Sequence, residues 1–241
     1  MFPHAAIAFH ALDAYPNEAC GLIVDGGYFP CRNLSPTPDQ SFVIDPLYVA
    51  SFHEIDYIVH SHTRTFGPGS NVDPRTPSLE DMQGQIDTDV PWAIVYCDGK
   101  SVTAPLTFGD RVRPPLEGRQ YQINVNDCLT VATDYYALMG VQLPSIARAI
   151  DWEERGEDLI NQNMAAWGFS QVPMSEARKS DLVLFKIPSM GNKRPQVANH
   201  IGVYLGDNKV LHQLYGCLSC IEEISTFARF IDKVVRHEAF K

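Results

Sequence analysis

The sequence predicts a mixed α+β chain of two units. Three observations lead there. Helix-like and strand-like stretches alternate along both halves. The acidic charge is uneven: up to Arg113 there are 6 Lys+Arg against 14 Asp+Glu, a net −8, and the remainder has 13 against 15, a net −2. Between the halves lies "FGDRVRPPLEGRQ" (108–120), charged, with Pro114-Pro115 and two glycines and no apolar period, which reads as a linker. At ~100–200 residues per domain, 241 residues suit one large domain or two small ones. The division expected is 1–110, a linker over 111–119, and 120–241.

The elements follow in order. Apolar Phe2, Ala5, Ala6, Phe9 and Leu12 suit an amphipathic helix over residues 3–14, stopped by Pro16. "CGLIV", Asp25-Gly26-Gly27 and "YFPC" read as a hairpin. "DYIVHSH" (56–62) is an expected strand, 78–89 a helix, and "PWAIVYCDG" (91–99) a strand. After the linker, "NVNDCLTVATDYYALMG" (124–140) has polar cap candidates, a helical body and a stop at Gly140. Residues 151–166 read as a second helix. "SDLVLFKI" (180–187), "ANHIGVYLG" (198–206) and "KVLHQLYG" (209–216) read as strands, and 222–241 as a short helix and a final strand.

With 45% hydrophobic and 20% charged residues the chain can bury a core. A net charge of −10 argues against nucleic acid as a partner, because a phosphate backbone needs basic surface. The N-terminal residues lack the basic start and apolar core of a secretion signal, and no stretch approaches ~18 consecutive apolar residues. The expectation is a chain folded in a cytosol, with no membrane span and with its six cysteines as thiols.

Two groups of residues carry chemistry. In a strand, residues two apart share a face, so His60 and His62 point the same way and can bind one Zn²⁺. A catalytic zinc needs a third protein ligand, which a downstream aspartate can supply. Glu18, at the mouth of the first hairpin, can serve as the base. An upstream Glu, His-Ser-His and Ser-x-x-Asp together resemble the JAMM (MPN) metalloprotease family, over roughly residues 1–105. The resemblance implies an MPN/JAMM-like α/β domain with His60 and His62 as zinc ligands, Glu18 as general base and the serine as donor to the oxyanion. Thr63 stands where the family often has Pro.

The sequence holds two candidates for Ser-x-x-Asp. The family's spacing of seven residues after the second His gives Ser70 and Asp73. Local chemistry favours Ser78 and Asp81. Asp73 precedes Pro74, which biases it to extended backbone, whereas Ser78 is a good N-cap for a helix through Met82, Gln85 and Ile86. On this reading residues 65–75 form an inserted loop.

In the second half, Cys128 starts a helix behind Asn126 and Asp127. Unpaired amides and the helix dipole there stabilise a thiolate, and the same amides can hold an oxyanion. If Gly206-Asp207-Asn208 is a three-residue loop, Leu205 pairs with Lys209 and His212 faces Gly202, with His200 diagonally beside it. One histidine can then act as base towards Cys128 while the other orients it. A cysteine at a helix start with two histidines on one hairpin, 11 residues between them, resembles the NlpC-type cysteine peptidases, over about 118–241. This implies a papain-like α+β domain with Cys128 as nucleophile, His200 as base and His212 as third member, acting on bacterial wall peptides. The family's Asp-Cys-Ser-Gly reads Asp-Cys-Leu-Thr here. Cys217-Leu-Ser-Cys220 has the spacing of half a zinc or redox site, but no second cysteine pair is near, and it reads as incidental.

A JAMM-like half followed by an NlpC-like half is similar to a family of tail tip proteins of long-tailed bacteriophages. The similarity implies other tail tip and hub proteins and peptidoglycan peptides as partners. It implies residence in the host cytoplasm during assembly and at the virion tail tip afterwards. The wall bond expected is D-glutamyl–diamino acid. The competing class is a structural adaptor or plug with one or both sites inactive.

Overall fold

The computed structural model describes residues 2–67, 70–189 and 192–241. Pro68 and Gly69, within the loop expected over 65–75, lie outside the described residues. The chain divides into two compact units, Met1–Val112 and Arg113–Lys241. No helix among the described residues is long and apolar enough to cross a membrane.

The first unit runs α1 (His4–Ala14), β1 (Cys20–Val24), β2 (Gly27–Cys31), α2 (Pro46–Val49), β3 (Tyr57–His62), α3 (Leu79–Thr88), β4 (Trp92–Tyr96) and β5 (Leu106–Phe108). Its sheet has the order β2-β1-β3-β4-β5. Asp25 and Gly26, both at positive φ, make the tight β1–β2 turn. β3 and β4 are the one parallel pair in this sheet, joined through α3 in a β-α-β unit. Strand alternation sends Val59, Ala93 and Val95 to a core with Ile7 and Ala11 of α1. Trp92 packs on the α3 side: a Cβ on Gly84 would come within 2.6 Å of its ring.

The inward face of α1 differs from the sequence expectation. Phe9 is 75% exposed, Leu12 is exposed, and Ala5 and Ala6 face solvent, while Ile7 and Ala11 are buried. The helix is apolar nearly all round, so its period selects no face. Its histidines are tied inward, His4 Nε2 to the Thr103 carbonyl at 3.0 Å and His10 Nδ1 to the Tyr28 hydroxyl at 2.9 Å.

The second unit contains α4 (Cys128–Leu138), α5 (Leu159–Met164), β6 (Phe169–Val172), β7 (Leu182–Phe185), β8 (His200–Gly206), β9 (Lys209–His212), β10 (Cys220–Glu223) and β11 (Ile231–His237), with a 3-10 segment over Ile224–Phe230. The antiparallel sheet has the order β10-β9-β8-β7-β11-β6. Leu129, Ala132, Tyr135 and Tyr136 of α4 pack with Leu182, Leu184, Ile201 and Val203.

Four expectations change here. The helix over 151–166 is only α5, because Gly156 adopts φ +70 and breaks the run. β6 and β10 were not foreseen: each is four residues long with two exposed positions, adjacent in β6 and alternate in β10, too short for a period to register. Leu205 does not pair with Lys209. A two-residue turn at Asp207-Asn208 pairs Gly206 with Lys209, and a bulge between Tyr204 and Gly206 restores the Gly202–His212 register. In the segment read as a linker, Arg119 is buried, bonding to Asp134 at 2.7 Å and to the Pro114 and Pro115 carbonyls.

Candidate active sites

In the first unit β3, α3 and the segment before β1 meet. His60 Nε2 lies 3.1 Å from His62 Nε2 and 3.1 Å from Asp81 Oδ1, and His62 Nε2 lies 3.2 Å from Asp81 Oδ2. His60 and Asp81 are buried, and the His60 ring is stacked on Phe42. Asp81 is held by a capping box: Ser78 Oγ accepts from the Asp81 N–H, and Asp81 Oδ2 accepts from the Ser78 N–H at 2.8 Å. Asp73 is turned to Arg75, with a 2.6 Å ion pair. His62 Nδ1 donates to the Pro74 carbonyl at 2.7 Å, which leaves its Nε2 lone pair aimed into the cluster. Pro74 belongs to the segment read as an inserted loop, so that segment orients the His62 ring.

Glu18 is buried beside this cluster. Burial raises its carboxyl above the usual range, and the Asp81 charge adds to this, while His60, His62 and Arg64 oppose it. Burial also acts to raise Asp81, but His60 and His62 together hold it well below the usual carboxylate range. Ser61, the middle residue of His-Ser-His, accepts from the Ala19 N–H at 2.8 Å and so fixes the residue after Glu18. Sequence reasoning passed over Ser61 as a spacer.

Two imidazole nitrogens and a carboxylate within 3.2 Å of one another, two of the three residues buried, form a donor set suited to Zn²⁺.

In the second unit, Asp127 caps α4. Its Oδ1 accepts from the Leu129 and Thr130 N–H groups, and its Oδ2 from the Asn124 N–H and from buried Arg148 at 2.8 Å. The cap therefore consumes two amides that were expected to serve the oxyanion and leaves the Cys128 N–H in the first turn. Cys128 is half-buried. Burial, reinforced by Asp127, pushes its thiol up to about 12, against Arg148 and the Ile201 N–H, which favour the thiolate. The expected resting thiolate thus gives way to a thiol, because desolvation outweighs the helix terminus. Among the described residues the thiol's hydrogen-bond partner is the Ile201 N–H, one residue beyond His200, and it has no hydrogen bond to His200 itself.

His200 Nε2 and His212 Nδ1 are 2.9 Å apart, and His212 Nε2 is 2.9 Å from Glu222 Oε2. The three residues form one row across β8, β9 and β10. Gly202 makes the row possible: a Cβ there would lie 2.5 Å from Val210 Cγ2 and 3.2 Å from His212 Cβ. Proton positions follow from the end of the row. A carboxylate only accepts, so His212 carries its proton on Nε2. Its Nδ1 then accepts from His200 Nε2–H, and His200 Nδ1 keeps the lone pair of a base. Burial, then His212, pulls His200 down to about 3, so the imidazole is neutral at rest. Glu222 and Arg148 were both missed from sequence. Glu222 lies on an unforeseen strand, and Arg148 lies between expected elements.

The NlpC/P60 family model matches residues 116–230. The tail tip assembly protein K of Escherichia phage lambda is 33% identical over 75% of this chain and 77% of its own length. The protein of the same name from Escherichia phage N15 is 29% identical over 89% of this chain and 85% of its own. A solved NLP/P60 family lipoprotein-like structure from Staphylococcus aureus aligns over 50% of this chain and 37% of that chain, with 20% identity and a TM-score of 0.36.

Proposed function

The chain belongs to the tail tip assembly protein K family, and on that premise we propose that it joins or helps to build a phage tail tip, where its NlpC/P60 unit cleaves bacterial wall peptides. The observation that carries this reading is the hydrogen-bonded row His200–His212–Glu222, which leaves a basic nitrogen on His200 beside the strand position that contacts Cys128.

Cys128 Sγ attacks the peptide carbonyl carbon as its proton passes to His200 Nδ1. Thiol and imidazole both start neutral, so proton transfer accompanies attack. The Cys128 N–H supports the oxyanion. The imidazolium returns its proton to the leaving amine, giving a thioester. His200 then takes a proton from water as the water attacks, which releases the acid and the thiol. The substrate class is a peptidoglycan stem peptide, with the D-glutamyl–diamino acid bond as the first candidate.

For the first unit the proposal is a JAMM-like zinc domain held by His60, His62 and Asp81. Bound zinc would polarise a carbonyl and lower the pKa of a water. Glu18 would hold the proton taken from that water, its raised pKa suiting it to return the proton. Its role would be processing of a tail protein or docking on the tail hub.

The deciding experiment is a zymogram on purified peptidoglycan with wild type and Cys128→Ala. The expected result is cleavage by wild type only, with the variant giving an unchanged circular dichroism spectrum. Equal cleavage by both would overturn the assignment. No cleavage by either would favour the structural adaptor or plug.

A further inference from the structure

The pair Cys217 and Cys220 lacks a second cysteine pair in sequence, but the fold supplies other ligands. Cys220 on β10 stands directly opposite His212 on β9, and Glu222 lies two residues further on the same face. A His212 ring nitrogen, Cys220 Sγ and a Glu222 oxygen all lie within 4.8 Å of one another, and Nε2 is the His212 nitrogen that faces Glu222, at 2.9 Å. Ligands of tetrahedral Zn²⁺ at ~2.0–2.3 Å stand roughly 3.3–3.8 Å apart, so small side-chain rotations would close the set. Glu222 can make such a rotation, because its side chain is 42% exposed. Cys217 is not one of this set, and water would complete the coordination. One thiolate and one carboxylate balance a divalent charge, and a sulfur–imidazole set selects zinc over magnesium or calcium.

We propose that His212, Cys220 and Glu222 form a Zn²⁺ site whose occupation switches off His200 as a base. The switch follows from proton positions. Without metal, His212 carries its proton on Nε2, and His200 Nδ1 has a lone pair. Zinc on His212 Nε2 requires the lone pair there, so the proton of neutral His212 must reside on Nδ1. His212 Nδ1 then donates across the 2.9 Å contact, and His200 Nε2 must accept. The His200 proton moves to Nδ1, the nitrogen that would have taken the Cys128 proton. Both imidazoles stay neutral. The only proton released is that of the Cys220 thiol, which goes to solvent as the S–Zn bond forms. The inhibition rests on the hydrolase reading; the metal site does not.

The test uses the full chain carrying His60→Ala and His62→Ala, which removes the other candidate zinc site. Cobalt(II) titration is expected to give one equivalent with a thiolate charge-transfer band and tetrahedral ligand-field bands, all lost on adding Cys220→Ser. Absence of the bands, or their survival in the Cys220→Ser chain, would overturn the site. Long-range proton–nitrogen spectra should show the ring protons of His200 and His212 on Nε2 without zinc and on Nδ1 with it. Unmoved protons would overturn the switch. In cleavage assays zinc should slow the parent chain by roughly tenfold or more, reversed by a chelator, while the ratio with and without zinc stays near one for Cys220→Ser. Equal slowing of both would place the zinc on Cys128 and sink the proposal. A parent chain that cleaves nothing counts against the hydrolase reading, while the cobalt bands and ring protons still decide the metal site and the switch.

Discussion

His212 Nδ1 accepts a hydrogen bond from His200 Nε2 at 2.9 Å, and this one bond determines which nitrogen of the His200 ring is free. His212 is fully buried, so no water can take its place without a cavity. Its far nitrogen is tied to Glu222 on the edge strand, so the protonation of a buried histidine pair is set from the rim of the sheet.

Glu222→Ala should therefore lower kcat for wall-peptide cleavage by about tenfold, roughly 1.4 kcal/mol, with KM little changed. Glu222→Gln keeps a carbonyl oxygen that can accept from His212 Nε2 and should recover most of the rate. Steady-state kinetics on a soluble stem peptide checks both. A Gln variant as slow as Ala would show that charge, not proton placement, matters.

Much of this wiring was legible in the sequence, but unevenly. His200 and His212 were placed on one face because strand alternation is strict, and the bulge at Leu205 compensated for an incorrect turn. Cys128 at the start of α4 could be read from Asp127, a strong N-cap. Glu222 could not, since β10 has four residues and no clear alternation of hydrophobicity. The inward face of α1 was hidden because a helix apolar on all sides gives no period. The thiol state of Cys128 depends on desolvation, which arises from chain segments remote in sequence.

Gly202→Ala tests whether the row is sterically set. The added methyl would meet Val210 Cγ2 at 2.5 Å and the Leu211 carbonyl at 3.2 Å, so β9 must shift and take His212 with it. The expected cost is about 1–3 kcal/mol of stability, read by thermal or urea unfolding, and a loss of cleavage larger than any change in substrate binding. Full activity in that variant would show that His212 need not hold its position.

Acid should destabilise the C-terminal unit through these histidines. Burial, then His212, lowers His200 to about 3, and burial lowers His212 against the opposing pull of Glu222. Unfolded histidines bind protons near pH ~6.5, so below that value the unfolded state binds more protons than the folded one. This stability is fully present above about pH 6.5 and is lost as pH falls towards the folded values, by on the order of a few kcal/mol. Thermal melts of the full chain from roughly pH 8 to pH 4 should show the loss. His200→Gln should flatten it, and an unchanged pH slope in that variant would assign the acid sensitivity elsewhere.

The two aspartates after His-Ser-His are separable by metal content. Asp81 shares its oxygens between His60, His62 and the Ser78 N–H, whereas Asp73 is committed to Arg75. Asp81→Asn should lower bound zinc by about one per chain, because a neutral amide is a weak zinc ligand. Asp73→Asn should leave zinc unchanged. Asp81 also closes the capping box, so its loss carries a helix cost of ~1 kcal/mol that could disturb the site indirectly. Ser78→Ala provides the control, since it weakens the same cap while sparing the carboxylate. Elemental analysis of the three variants in a Cys217→Ser/Cys220→Ser background should show zinc lost only with Asp81→Asn. Zinc lost with Asp73→Asn instead would restore the assignment made by counting residues from His62.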